Sequence, residues 1–390
     1  MAPMTYRSMT GALGPYPMAR ESSGTAWQPD TSDEAGLHVM SGDWMLMAHG
    51  DLNLVADRQS GPRGDDKLFP SGMLMGMAQH PIGSGTLQLK AMVSPEPLMG
   101  PRGYPLLLAS GETANGTDRL IDRQHPHDLF MELSASVSQS IGRNSSVFVY
   151  GGLPGEPAFG PPAFMHREAI MDSPEAPITH HWLDSTHISF GVVTAGLTFG
   201  RTKIEVSRFN GREPDQHRWD IETGPLDSTA VRLSWNPTAE LALQGSWANF
   251  KDPEQLEPGV DQKRLSASLL YARELAGGWK LAGTLAWGRK TAEHHQDDAF
   301  AAEASLKHRA WTLFGRGEMV ENRELTSWHG PSYRVGKVSL GAVRDFRIAD
   351  HLSFGAGGLF AVNFVPDALA PLYEGHNPTA AMGFVRLKLD

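Results

Sequence analysis

The chain has 390 residues and a formal net charge of −10, with 34 Lys plus Arg against 44 Asp plus Glu, a balance that speaks against nucleic acid as a partner. It contains no cysteine, which excludes disulfides, thiolate metal sites and cysteine nucleophiles. Mean hydropathy is −0.31 and no apolar run reaches the ~18 residues of a transmembrane helix, but strands with one face on a polar lumen need no such run.

Residues 1–43 are rich in Gly, Pro, Ser and Met and show no alternation. They read as an N-terminal periplasmic extension, disordered or folded into the mouth of the domain that follows at 44–390. The first twenty residues lack a basic stretch followed by an apolar one, so we expect a mature chain whose signal peptide has been removed. From Trp44 onward, polar and apolar side chains alternate. Successive side chains of a strand point to opposite faces, so this alternation means one apolar and one polar face. Sixteen strands follow in order: 44–56, 67–79, 84–95, 128–141, 145–152, 186–199, 202–210, 227–236, 239–250, 261–273, 278–289, 297–307, 310–321, 333–346, 351–364 and 379–389.

Short turns at 80–83, 141–144, 200–201, 236–238, 274–278, 307–309 and 347–350 alternate with longer loops at 57–66, 96–127, 153–185, 211–226, 251–260, 290–296, 322–332 and 365–378. Short periplasmic turns and long extracellular loops are the pattern of outer-membrane barrels. The fold class expected is therefore all-β, a transmembrane antiparallel β-barrel of about 16 strands, with 14 and 18 as neighbouring counts, located in the bacterial outer membrane. A propeller would show a recurring blade motif, and the chain has none. Leu46, Ala48, Leu52, Leu54, Leu129, Met131 and Leu133 are expected to face lipid. Trp44, Trp235, Trp279 and Trp311 fall at periplasmic strand ends, where an aromatic girdle sits.

The inward face of the first two strands carries Met45, Met47, His49, Met73, Met75 and Met77. Thioethers favour Cu(I), and imidazole suits copper or zinc. Methionine also fills irregular gaps, so packing against an inserted N-terminal segment competes with metal binding. A second candidate is His125-Pro126-His127-Asp128, because His-x-His beside a carboxylate can chelate a divalent metal. The loop before strand six adds His166, His180, His181, Asp184 and His187, which would converge with it if both loops fold over the mouth. Lys90, Glu132, Glu205, Arg232, Arg264, Glu303, Arg316 and Glu318 are expected to line the pore, as a solute filter or as a salt-bridged interior. No G-x-S-x-G elbow or H-E-x-x-H helix is present, so no catalytic residue is expected.

Five segments, SGDWMLMAHG (41–50), DRQHPHDLFMELS (122–134), SRFNGREPDQHRWD (207–220), DSTAVRLSWNPT (227–238) and LQGSW with DPEQLEP (243–258), resemble a poorly characterised family of bacterial outer-membrane β-barrels. Members resemble proteins encoded near copper and heavy-metal handling genes, which implies a metal-linked role and draws attention to Met45, Met47, His49, His125 and His127. The leading expectation is an outer-membrane channel or binding protein for a small solute, of the copper type or another divalent metal. The alternatives are a plugged barrel that holds a periplasmic partner through residues 1–43, and an outer-membrane hydrolase. Expected contacts are outer-membrane lipid and lipopolysaccharide, and further copies of the chain in a homo-oligomer.

Overall fold

The computed structural model describes residues 9–33, 36–293, 295–326 and 330–389. A short strand β1 (Leu37–Ser41) leads into β2 (Trp44–Gln59), β3 (Asp66–Ile82) and β4 (Gly85–Val93). A hairpin, β5 (Tyr104–Thr113) and β6 (Arg119–Gln124), interrupts the series, which resumes with β7 (Phe130–Gly142), β8 (Ser145–Gly152), β9 (Val192–Phe199) and β10 (Thr202–Phe209). It continues through β11 (Ser228–Trp235), β12 (Leu241–Phe250), β13 (Gln262–Leu275), β14 (Trp279–Ala292) and β15 (His295–His308). The last strands are β16 (Trp311–Asn322), β17 (Tyr333–Ala349), β18 (Leu352–Phe364) and β19 (Thr379–Leu389).

Each of the strands β2–β4 and β7–β19 pairs antiparallel with the next in sequence, β4 with β7, and β19 closes on β2 through Ala380↔Gln59 to Leu389↔Gly50. The result is a closed barrel of 16 strands. Closure matters because the outer face is apolar, and an open edge in hydrocarbon would leave a row of unpaired backbone groups. β1 pairs with Trp44–Ala48 of β2, next to the stretch where β19 has ended. Among the described residues no helix is long and apolar enough to cross a membrane.

The two faces separate as the alternation predicts. Leu46, Leu52, Leu54, Leu285, Leu340 and Phe360 are exposed on the outside, while Ser266, Arg264, Glu303 and Lys337 are buried inside. Trp235, Trp279 and Trp311 project outward at the ends of β11, β14 and β16 that face the short turns. Such a barrel, with an apolar belt and a polar interior, is a bacterial outer-membrane protein by construction.

Four local expectations are corrected. Met131, expected to face lipid, is fully buried, because the pairing slips between Met92↔Glu132 and Val93↔Phe130. The β-bulge there adds a residue and turns Met131 inward with Met73, Met75 and Met92. The strand expected to start at 186 starts at Val192, since Ser185–His187 forms a 3-10 turn inside the barrel. The loop expected at 290–296 is a tight turn between Ala292 and His295. The loop at 96–127 carries the β5–β6 hairpin, which its turn-rich sequence did not announce.

The lumen is filled by three segments. Residues 9–33 lie across β4, β7, β8, β10 and β11: Ser138 Oγ donates to the Ala12 carbonyl and Ser146 Oγ to the Leu13 carbonyl, each over 2.6 Å, and Arg232 Nη2 donates to Thr25 Oγ1 over 2.9 Å. The connection 94–129 brings Leu106, Leu107 and Leu108 into an apolar core with Ile178 and Leu183 of the connection 153–191. That second connection carries helix α1 (His180–Leu183), which lies against β14. A Cβ at Gly288 of β14 would overlap the Trp182 carbonyl, so only glycine lets the helix sit this close.

Candidate functional site

The charged residues expected to line a pore do point inward, but each is engaged. Lys90 lies 3.7 Å from Glu132, Glu205 takes Lys203 at 3.2 Å and Arg232 at 3.1 Å, and Arg264 reaches Glu213 at 3.5 Å. Glu303 binds Arg167 of the inserted connection at 2.6 Å, and the other face of that guanidinium contacts Asp184. Arg316 bridges Glu318 at 3.0 Å and Glu175 at 3.2 Å, and Lys337 completes the group on Glu175. Arg386 holds Asp172 at 2.7 Å. Arg167, Asp172, Glu175 and Asp184 sit in a Gly- and Pro-rich loop, where nothing in the sequence distinguishes a lumenal charge from a solvated one.

The wall of β2–β4 differs. Cross-strand register sets His49 opposite Met75, Met47 opposite Met77, Asp51 opposite Met73, and Met75 in turn opposite Met92. Directly opposed side chains on one face of a sheet are within contact reach. A cavity of about 110 Å³ lies against this wall, lined by Met47, His49, Met73, Met75 and Met77 together with Met18 of the N-terminal segment and His166 and Met171 of the inserted connection. The rings of His49 and His166 stand 6.2 Å apart. Nε2 of His166 is shielded from solvent and has no hydrogen-bond partner among the described residues. Burial first, then the neighbouring His49 and Lys90, pull this imidazole down to about 3, so it is neutral and its lone pair is available. Met77 Sδ accepts from Gln88 Nε2 at 2.8 Å, and Met45, paired with Gln79, does not line the cavity.

The His-x-His segment divides. His125 is drawn to Glu112, 3.1 Å from Nε2, while its Nδ1 lies 3.2 Å from the Pro126 carbonyl. Asp128 accepts from Arg218 at 3.2 Å. His127 instead meets His180 and His187 of the other connection, with one ring nitrogen from each of the three lying within 4.8 Å of the others. All three are buried. His127 Nδ1 lies 2.9 Å from Glu96 Oε2, His180 Nδ1 2.7 Å from Asp184 Oδ1, and His187 Nδ1 2.7 Å from the Asp184 carbonyl. Burial lowers the pKa of His180 and of His187, whereas at His127 the Glu96 carboxylate outweighs burial and raises it.

No family model matches the sequence, and no curated protein matches it. Solved structures match in fold. The chain is similar to OmpF of Salmonella typhi, solved in complex with daunomycin, at a TM-score of 0.55 and 12% identity over 90% of this chain and 100% of that one. It is also similar to the anion-selective porin from Comamonas acidovorans, at 0.51 and 10% identity over 88% and 99%. At such identities the likeness is one of architecture, a 16-stranded outer-membrane barrel.

Proposed function

We propose that this barrel takes a small solute into its lumen, a soft metal ion of the copper type, and holds it in the cavity between β2–β4 and the inserted segments. The observation that carries this reading is the cavity's donor set. Thioethers from the wall meet two imidazoles, one from the wall and one from the inserted connection, in a space large enough for an ion and its ligands. Thioether sulfur is a soft donor that selects Cu(I), and neutral imidazole completes such a site. Binding must stay weak enough for release if the ion is to move on.

The test is Cu(I) binding by the folded full-length barrel, measured by competition with a colorimetric Cu(I) chelator, with Ag(I) as a redox-inert check. Replacing His49, Met75 and His166 together by Gln, Leu and Gln should weaken binding at least ten-fold. Unchanged affinity in that variant would overturn the assignment.

A second reading, a plugged barrel that serves as a docking scaffold, is favoured by the filling of the lumen by 9–33, 94–129 and 153–191. Planar-bilayer recordings separate the two. A steady current on adding metal supports passage, and a closed barrel with or without metal supports the scaffold.

A further inference from the structure

The three histidines that meet between the inserted connections have a different chemistry from the thioether cavity and call for a different ligand. We infer that His127, His180 and His187 form a tris-imidazole site for a borderline divalent cation of the Zn2+ class, fastening connection 94–129 to connection 153–191 inside the barrel.

Four observations support it. First, Nδ1 of His180 and Nδ1 of His187 are taken by the Asp184 carboxylate and the Asp184 carbonyl, and Nδ1 of His127 lies 2.9 Å from the Glu96 carboxylate, so Nε2 is the nitrogen each ring would offer. A carboxylate or carbonyl on the far nitrogen is the arrangement that fixes tautomer and orientation in histidine metal ligands. Second, the Nε2 atoms of His127 and His187 are buried with no hydrogen-bond partner among the described residues. A packed histidine network would pair them, since an unmet buried polar atom is costly. Third, Phe164 packs against the cluster, its ring centroid 5.6 Å from that of His180 and 6.0 Å from that of His127, so one side of the site is apolar and a fourth ligand would come from the cavity beside it. Fourth, Glu96 has no Lys or Arg partner among the described ion pairs, so its charge is left to answer a cation held by His127.

The donor set narrows the ion. Three nitrogens exclude Ca2+ and Mg2+, which take oxygen ligands. Both oxygens of Asp184 are occupied, by His180 and Arg167, so a two-His-one-carboxylate iron site cannot be made. Zn2+ sits ~2.0–2.1 Å from imidazole nitrogen, and a tetrahedral centre sets the nitrogens ~3.4 Å apart, so rings whose nitrogens now lie within 4.8 Å of one another must draw together on binding. A cavity of about 30 Å³ lined by His127, Glu96 and Phe164 adjoins the larger thioether cavity, with Asp51, Met73 and Met171 lining both.

Co2+ tests the site in the folded full-length barrel, because its visible d–d bands report tetrahedral nitrogen ligation. One equivalent should bind and be displaced by Zn2+. His127→Gln, His180→Gln and His187→Gln should each weaken binding at least 100-fold, and Glu96→Gln about 10- to 100-fold. His125→Gln and His181→Gln should retain it, as should the His49/Met75/His166 variant of the soft site. Heat-modifiable gel migration checks that each variant folds. On the unmodified protein, Zn2+ should slow proteolysis within 94–129 and 153–191 at least ten-fold, and chelation should reverse this. A wild-type protein without the bands, or bands that persist in all three histidine variants, would overturn the site; protease sensitivity indifferent to Zn2+ would overturn the fastening.

Discussion

The two sides of the lumen hold the inserted segments by different means. Along β10 to β17 the wall grips them with charge: Lys203 and Arg232 against the N-terminal segment, Glu303 on Arg167, and Arg316 and Lys337 on Glu175. Along β2 to β4 the wall offers four methionines and one histidine beside Asp51 and Lys90, and a cavity that contains these soft donors lies against it. A buried ion without its partner is costly, so each of these charges is tied to a partner. Thioethers carry no such penalty and leave room for a ligand. One side therefore holds by charge, and the other presents soft donors to a ligand.

Breaking the clamp should have the largest effect. Arg167→Met leaves Asp184 and Glu303 buried without their guanidinium, and loss of one partner of a buried pair costs about 3–5 kcal/mol. We expect the connection 153–191 to become protease-sensitive and the barrel to gain ion conductance in planar bilayers. If conductance and cleavage match wild type, the clamp is not what holds the segment. Gly288→Ala should come next. The new methyl group meets the Trp182 backbone, an overpacking of about 1–3 kcal/mol that also shifts α1 and with it His180. Urea titration in detergent reads the stability, and Co2+ affinity should fall with it.

On the opposite wall, Met75→Leu keeps volume and should cost less than about 1.5 kcal/mol while reducing Cu(I) affinity. A large stability loss with intact Cu(I) binding would make Met75 a packing residue and remove the contrast. Smallest of all is Lys251→Ala. Its pairing with Asp261 lies in the solvated connection after β12, and the change should remain within about 1 kcal/mol by the same titration.

Much of the architecture was legible because it is written locally. Alternation places Leu265 outside and Arg264 and Ser266 inside without reference to any distant residue, and turn sequences mark most of the strand ends. Met131 escaped because a bulge depends on the register of the neighbouring strand. At the sites, the stripe of Met47, His49, Met73, Met75 and Met77 followed from alternation alone, but His166 and Met171, which close the cavity, come from a distant loop. The His-x-His segment drew attention for sound chemical reasons, yet only His127 of the pair joins the cluster, because Glu112 takes His125 and Arg218 takes Asp128.

The sequence by itself determined the container: about sixteen strands, the direction of most wall side chains, with Met131 at the bulge an exception, and both faces of the wall. These follow from a two-residue period that needs only near neighbours. Tertiary structure decided what fills it. Whether a long loop stands in solvent or turns into the lumen depends on charges far apart in the chain finding each other, as Arg167 finds Glu303 and Glu175 finds Arg316. Burial of such ions is tolerable only when both partners arrive together, and no local pattern announces that meeting.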